Sequence, residues 1–386
     1  MQRRHFIRVL GGGVVVAAGA AATGCSNALP SEAVSAWQGP VNEPEVRRWI
    51  LGYAILAPHS HNLQSWLVDL RVPGEMLLYC DLQRLLPETD PYSRQIMMSQ
   101  GTFLELLEMA ARERGLRAEI TLFPQGAFAP DKLDGRPVAH VRLSPDAKVV
   151  KDPLFAHILN RHTHRGVYDV ARPVPDSAWQ AMATAGNADG LRFGFAGPDQ
   201  PQALQQQRAL AAEAWRIELV TPRTIMESLK VLRVGPSEIA LHRDGISLMD
   251  PMVVWLNRLG LFDRSQAPRP DDFATASQIK DFNSKLDSTA GFLWMVSQGN
   301  DRATQVNAGR AYARVQLAAT GQGVVMQPLQ QALQEYPEQA KPYAEIRRLL
   351  DAPAPTQTVQ MWARVGFAPP VQPAPRRGVD AHILRS

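Results

Sequence analysis

The 386-residue chain has only two cysteines, Cys25 and Cys80, so neither a disulfide framework nor a cysteine-rich zinc module holds it together. No uninterrupted apolar run reaches the roughly 18–20 residues of a membrane span, which excludes a polytopic membrane protein. The longest such stretch, Val9 to Ala22, is short and rich in Gly and Ala. No Gly-rich dinucleotide fingerprint stands out, because Gly11-Gly12-Gly13 lies near the N-terminus with no strand before it. A nucleophile elbow and a His-Glu-x-x-His segment are absent too. An excess of one charge is also missing. Lys and Arg number 41 against 37 Asp and Glu, a net +4, and setting aside Arg3, Arg4 and Arg8 leaves 38 against 37, or +1. The basic balance comes largely from the first residues, and a nucleic-acid partner is unsupported. With 45% hydrophobic and 20% charged residues, the chain can bury a large core.

Residues 1–25 follow the plan of a secretory signal: a basic start, an apolar middle and a small-residue exit. Arg3-Arg4-x-Phe6-Ile7-Arg8 resembles the bacterial twin-arginine export motif. Ala22-Thr23-Gly24-Cys25 resembles a lipobox, whose thiol is acylated and becomes the mature N-terminus, although Ala22 stands where Leu is usual. The segment therefore predicts an exported protein, periplasmic or anchored by lipid at Cys25 in a bacterial envelope. Twin-arginine systems carry proteins already folded, often with a cofactor inside, so a bound cofactor is favoured.

Residues 26–42 read as a linker. Apolar residues at helical spacing predict a helix over 43–57, closed by Pro58. Strands are predicted at Leu67–Val72 and Met76–Asp81 across Pro73-Gly74, then an amphipathic helix over Ser99–Gly115 and strands at Ala118–Phe123 and Val138–Leu143. A helical segment at Pro153–Asn160, a strand at Leu191–Ala196 and a long helix at Ala203–Val220 follow. Residues 222–300 read as mostly helical. A helix over Arg302–Thr320 precedes Val324–Pro328 and a last strand at Thr358–Phe367. The order helix, Gly115, strand, gap, strand recurs as helix, Gly321/Gly323, strand, gap, strand, a weak internal repeat.

Three segments carry chemistry. Ala57-Pro58-His59-Ser60-His61-Asn62-Leu63-Gln64-Ser65-Trp66 sits at a helix-to-strand junction, where hydroxyl, amide and backbone groups can bond a flat polar ring. The plainer reading is a capped helix end with Trp66 entering the core. Arg161-x-Thr163-x-Arg165 can grip a phosphate through charge-assisted forks, or be a solvated basic loop. Arg376-Arg377 follows Pro373 and Pro375 and can close over an anion, or be a solvated tail.

Together these segments resemble the nitroreductase superfamily of FMN-binding flavoproteins. The first is similar to its Ala-Pro-Ser-x-x-Asn-x-Gln-Pro-Trp element, with His59 inserted and Ser65 for Pro; the second to Arg-x-Ser-x-Arg, with Thr163 for Ser. Val324–Leu329 is similar to the segment facing the flavin N5 edge, and Arg376-Arg377 to the terminal basic pair. In the ordinary family the arginine element precedes the Ser-Asn element and two subunits share each site. Here the order is reversed, the arrangement of the single-chain, Acg-like branch.

The resemblance implies an α+β nitroreductase-like fold of two fused similar halves, an intramolecular pseudo-dimer acting as a monomer, spanning 43–150 and 151–386, with 222–300 as a helical lid. One FMN would lie between the halves. Ser60, His61, Asn62 and Gln64 would lie against its ring, Arg161, Thr163, Arg165, Arg376 and Arg377 would hold its phosphate, and Gln327 and Pro328 would sit near N5. The implied reaction passes hydride from a small-molecule donor through N5 to a nitro-aromatic, quinone or similar acceptor, with no catalytic side chain. Because NADPH is a cytoplasmic reductant, a flavin-sequestering or non-catalytic envelope protein is an alternative, as is a structural lipoprotein whose degenerate flavin fold binds no cofactor. A further one uses His59-x-His61 and His162-x-His164 as a metal site. Cys80 is expected to be a packed side chain.

Overall fold

The computed structural model describes residues 28–385, so the export and lipobox segments at 1–25 lie outside the described residues. Helix α1 (Val46–Ala54) begins where the Glu45 carboxylate accepts the backbone N–H groups of Arg47 and Arg48, satisfying two orphan donors of the first turn. The hairpin β1 (Trp66–Asp69) and β2 (Glu75–Cys80) turns through Gly74, whose φ of +74° suits glycine. Helix α2 (Arg94–Glu113) and strands β3 (Leu116–Leu122) and β4 (Ala139–Pro145) complete an antiparallel sheet of order β1-β2-β4-β3.

The second half opens with a 3-10 helix at Pro153–Asn160, then α3 (Asp176–Gly186) and β5 (Leu191–Ala196). A long insertion follows: α4 (Pro201–Val220), α5 (Pro222–Lys230), β6 (Leu232–Val234), α6 (Gly235–His242), β7 (Ile246–Leu248), α7 (Pro251–Arg258) and α8 (Phe273–Asp287). Its strands β6 and β7 pair in parallel. Strand β8 (Gly291–Gln298), helix α9 (Arg302–Gly321), β9 (Val325–Pro328), α10 (Ala340–Leu349) and β10 (Gln357–Gly366) finish the half. The second sheet has the order β5-β8-β10-β9. Each half thus runs strand, strand, helix, strand, strand, and each sheet interleaves them identically. The repeat seen faintly in sequence is a repeat of topology.

The halves meet along α2 and α9, which touch backbone to backbone. A Cβ on Gly101 would lie 1.9 Å from the Val306 carbonyl oxygen, and one on Gly309 would lie 1.9 Å from that of Met98. Around this crossing Arg310 pairs with Glu105 and Glu108, and Arg314 with Glu105 and Asp152. The C-terminal tail then crosses the seam. Its backbone bonds β1 through Val68 N–H to His382 O at 2.7 Å and Leu384 N–H to Val68 O at 2.9 Å. Thr163 bridges in parallel to Met326 on the edge of the second sheet.

Two sequence-based boundaries are corrected. Residues 291–298, assigned above to the helical 222–300 segment, form β8 and pair with both β5 and β10. Residues 28–42 are no linker: Ala33 and Trp37 are buried in short helical turns, and Trp37 Nε1–H donates to Ala374 O at 2.8 Å.

Candidate functional site

The seam at the C-terminal end of α1 gathers three guanidinium groups. Arg161 donates to Leu56 O at 2.8 Å and to Gln316 Oε1 at 2.9 Å. Arg376, arriving from the tail, donates to Ala57 O at 3.0 Å and Leu56 O at 3.3 Å, and to the side-chain oxygen of Asn62. Both guanidiniums are buried, lie over the Trp37 ring at 5.4 and 5.2 Å, and make no ion pair among the described residues. Burial pushes Arg161 down to about 10, and burial with the Arg161 charge lowers Arg376 well below the usual arginine value. Two like charges held this close in a dry place need an anion, because burial of unpaired charge is costly. Arg377 extends the group: its backbone N–H donates to Gln64 Oε1 at 2.9 Å and its side chain to Gln64 O. The Nε atoms of Arg161, Arg376 and Arg377 are buried without a hydrogen-bond partner among the described residues.

The early loop is bent onto this charge. His61, Asn62 and Gln64 all adopt positive φ, at 48°, 54° and 55°, a conformation non-glycine residues keep only when the surroundings hold it. Asn62 Nδ2–H donates to Pro375 O at 3.0 Å, and Gln64 Nε2–H to Arg243 O at 2.9 Å. Gln100 of α2 donates to Ser65 O at 3.0 Å. His61 lies with Nδ1 3.4 Å from Ser60 Oγ and Nε2 3.4 Å from Ser228 Oγ of α5. Burial, then the nearby Arg165 charge, lower its pKa to about 4, so the ring is neutral at neutral pH.

Arg165 differs from the other arginines. It is exposed to water and makes no hydrogen bond or ion pair among the described residues, yet enough protein crowds it for burial to lower its pKa. The insertion packs on the early loop: Gly245 N–H donates to Asn62 O at 3.1 Å, and Asp244 binds Arg84 and Arg233.

The structure therefore brings Ser60, His61, Asn62, Gln64, Arg161, Arg165, Arg376 and Arg377 to one place. Thr163 lies between Arg161 and Arg165 in the chain and bridges by its backbone to Met326 of β9. Gln327 and Pro328 lie on β9 beside that bridge and bond β10 rather than the early loop. The Gln327 side-chain oxygen accepts from Arg364 Nε at 2.7 Å. Leu329 N–H donates to Trp362 O, and ladder alternation turns the Gln327 N–H toward Arg364, into the β9–β10 ladder. Arg364 and Trp37 escaped sequence reasoning. Trp37 alone carried a signal, a large aromatic inside a Ser/Ala/Pro stretch.

The four paired histidines do not converge. His59 Nδ1–H donates to Ser60 O at 2.8 Å, while Nε2 accepts from Ser65 N–H at 3.1 Å. His164 Nε2 lies 3.0 Å from Pro369 O, and its Nδ1 accepts from Gly166 N–H. His162 packs edge-on against Trp37. Among the described residues no group of three or more His, Cys, Asp and Glu side chains is placed to hold a metal. The His-x-His metal reading fails because the rings are committed separately. Cys80 is buried with its thiol pushed up to about 12, an inert packed side chain.

No protein-family model matches the chain. Over 341 residues, 87% of this chain and 90% of each relative, it is 27% identical to two Mycobacterium tuberculosis proteins, from strains CDC 1551 / Oshkosh and ATCC 25618 / H37Rv, each named "Putative NAD(P)H nitroreductase". Among solved structures it is similar to the FMN-dependent nitroreductase NfnB from Mycobacterium smegmatis in complex with NADPH, at 14% identity and a TM-score of 0.37, covering 59% of this chain and 95% of that one. Another is oxidized iodotyrosine deiodinase bound to FMN and 3-iodo-L-tyrosine, at 15% identity and a TM-score of 0.34, covering 58% and 95%.

Proposed function

We propose that the chain is an FMN-binding flavoprotein of the nitroreductase type, with a single site at the seam between its halves. The observation that carries this reading is the cradle itself. Arg161 and Arg376, 215 positions apart, are buried side by side without a carboxylate, next to an amide-rich loop and a wetted Arg165. That donor set fits a phosphate dianion joined to a flat polar ring: charge-assisted N–H groups for the first, Ser60, Asn62 and Gln64 for the second. The whole-length similarity to the mycobacterial proteins supports the same class.

The residue roles follow from exposure. Arg165 is the guanidinium free to meet the phosphate from the water side, with the Thr163 hydroxyl two residues before it. Arg161, Arg376 and Arg377 shape the early loop and add positive charge from behind, each with an unpartnered Nε. Neutral His61 and Ser60 line the ring side, and the insertion closes over them through Ser228 and Gly245. FMN, when bound, supplies hydride transfer through its N5, and the protein supplies orientation and electrostatics. The acceptor is a nitro-aromatic, quinone or similar small molecule, and the donor a nicotinamide or an envelope reductant. The insertion's bonds to the early loop also favour a second reading, in which the flavin is kept rather than turned over. The leader adds export of the folded protein, with Cys25 as a lipid anchor, and the fused halves a monomer serving as its own dimer.

The purified full chain is expected to be yellow, with two visible flavin bands that bleach on chemical reduction; bleaching by NADPH separates turnover from storage. A colourless protein that takes up no added FMN contradicts the reading.

A further inference from the structure

Two guanidiniums of the cradle share one aromatic face. Trp37 lies in the helical turn Ser35–Gln38, ahead of both sheets in the chain, and is 8% exposed. The guanidinium carbons of Arg161 and Arg376 sit 5.4 and 5.2 Å from the centre of its ring, and His162 meets it edge-on at 5.2 Å. Trp37 also holds the chain that delivers Arg376. Its Nε1–H donates to Ala374 O at 2.8 Å, and Arg376 N–H donates to Ala33 O at 2.8 Å. Leu29 N–H reaches the Gln372 side-chain oxygen at 2.7 Å. Residues 29–37 thus grip the tail at 372, 374 and 376, in a stretch that belongs to no helix or strand.

We propose that Trp37 is a positioning residue of the phosphate cradle and sets the preference of the site for a flavin that carries a phosphate. This deepens the flavin reading and rests on it. Two like charges buried without a carboxylate repel each other, and Arg376 has a route to water because its tail has no sheet or helix to hold it. A π-face attracts a cation set over it, most strongly for Trp and in a dry place. One ring facing both guanidiniums therefore opposes both departures, while the indole N–H fixes the backbone two residues before Arg376. That N–H is the only donor the indole has, and it is committed to the tail. The early loop is held separately by the insertion, through Gly245 N–H to Asn62 O and Gln64 Nε2–H to Arg243 O. The influence of Trp37 thus falls on the anion end of the site rather than on the ring end. Trp37 also packs in the core of the first half, and a role confined to packing would lower the affinity of every flavin alike.

The test titrates the flavin-free full chain with FMN and with riboflavin, in the parent and in two variants, and reads the ratio of the two affinities. Trp37→Leu removes the ring and the N–H and keeps an apolar side chain. Trp37→Phe keeps a ring and loses the N–H. The ratio is expected to fall about tenfold in Trp37→Leu and about threefold in Trp37→Phe, the scale of a desolvated cation–π contact, with riboflavin affinity unchanged. An unchanged or larger ratio in Trp37→Phe, which also decides the matter if Trp37→Leu does not fold, overturns the proposal. So does an equal loss for both flavins in either variant, because it leaves Trp37 a packing residue. A parent protein that holds FMN no tighter than riboflavin overturns the cradle itself and this inference with it, so the two failures are told apart.

Discussion

Arg376→Ala weakens FMN binding by about 10- to 100-fold, the equivalent of one charge-assisted bond of ~1.5–3 kcal/mol. The same change leaves the oxygens of Ala57 and Asn62 short of a donor inside the fold, while Leu56 O keeps Arg161. The ligand-free protein therefore also melts earlier, by about 1–3 kcal/mol, partly offset by relief of repulsion from Arg161. Arg376→Lys keeps the charge but not the planar fork, and falls between the two. Arg117→Ala, which removes an exposed partner of Asp146, serves as the control and changes neither quantity. Flavin titration and thermal denaturation of the three variants read both effects. Unchanged flavin retention in Arg376→Ala moves the phosphate site elsewhere.

Gly309→Ala destabilises the protein by about 2–3 kcal/mol, although alanine is the better helix former by ~1 kcal/mol. The sign is set at the crossing of α2 and α9, where a Cβ at position 309 would lie 1.9 Å from the Met98 carbonyl oxygen and 2.6 Å from its carbon. Both atoms are backbone, so one helix must move. The movement separates the halves that jointly build the cradle, and flavin affinity falls with stability. Gly135→Ala meets nothing within 4 Å and is nearly neutral. A Gly309→Ala protein as stable as the parent would mean that the helices slide freely past each other and that the seam is not rigid.

Legibility in the sequence followed burial on one side. β5 occupies the predicted residues, and most helices and strands begin and end within a few residues of their expected limits, because one face of each meets a core and the other meets water. At the seam the rule lapses. Helix α2 starts at Arg94, five residues before the apolar pattern, because its first turns bury polar side chains that bond across to other elements. Arg94 pairs with Glu335, Ser99 Oγ accepts from Ser60 N–H, and Gln100 reaches Ser65. β8 was missed for the opposite reason. Its residues are buried on both faces, and a continuous apolar run reads equally as helix or strand. The Ser-Asn and arginine segments were legible as chemistry, and their juxtaposition follows from the C-terminal tail and the 161–165 segment meeting the end of α1. Their division of labour was not legible: Arg161 and Arg165 look alike in the string Arg161-His162-Thr163-His164-Arg165, yet one is buried under α1 and the other faces water.

The most direct test compares FMN with riboflavin, which has the same ring and no phosphate, in equilibrium titrations of the flavin-free full chain. A cradle of unpaired guanidiniums predicts that FMN binds tighter by about 100-fold or more, the worth of two charge-assisted bonds. Equal affinities would show that no anion cradle exists at the seam.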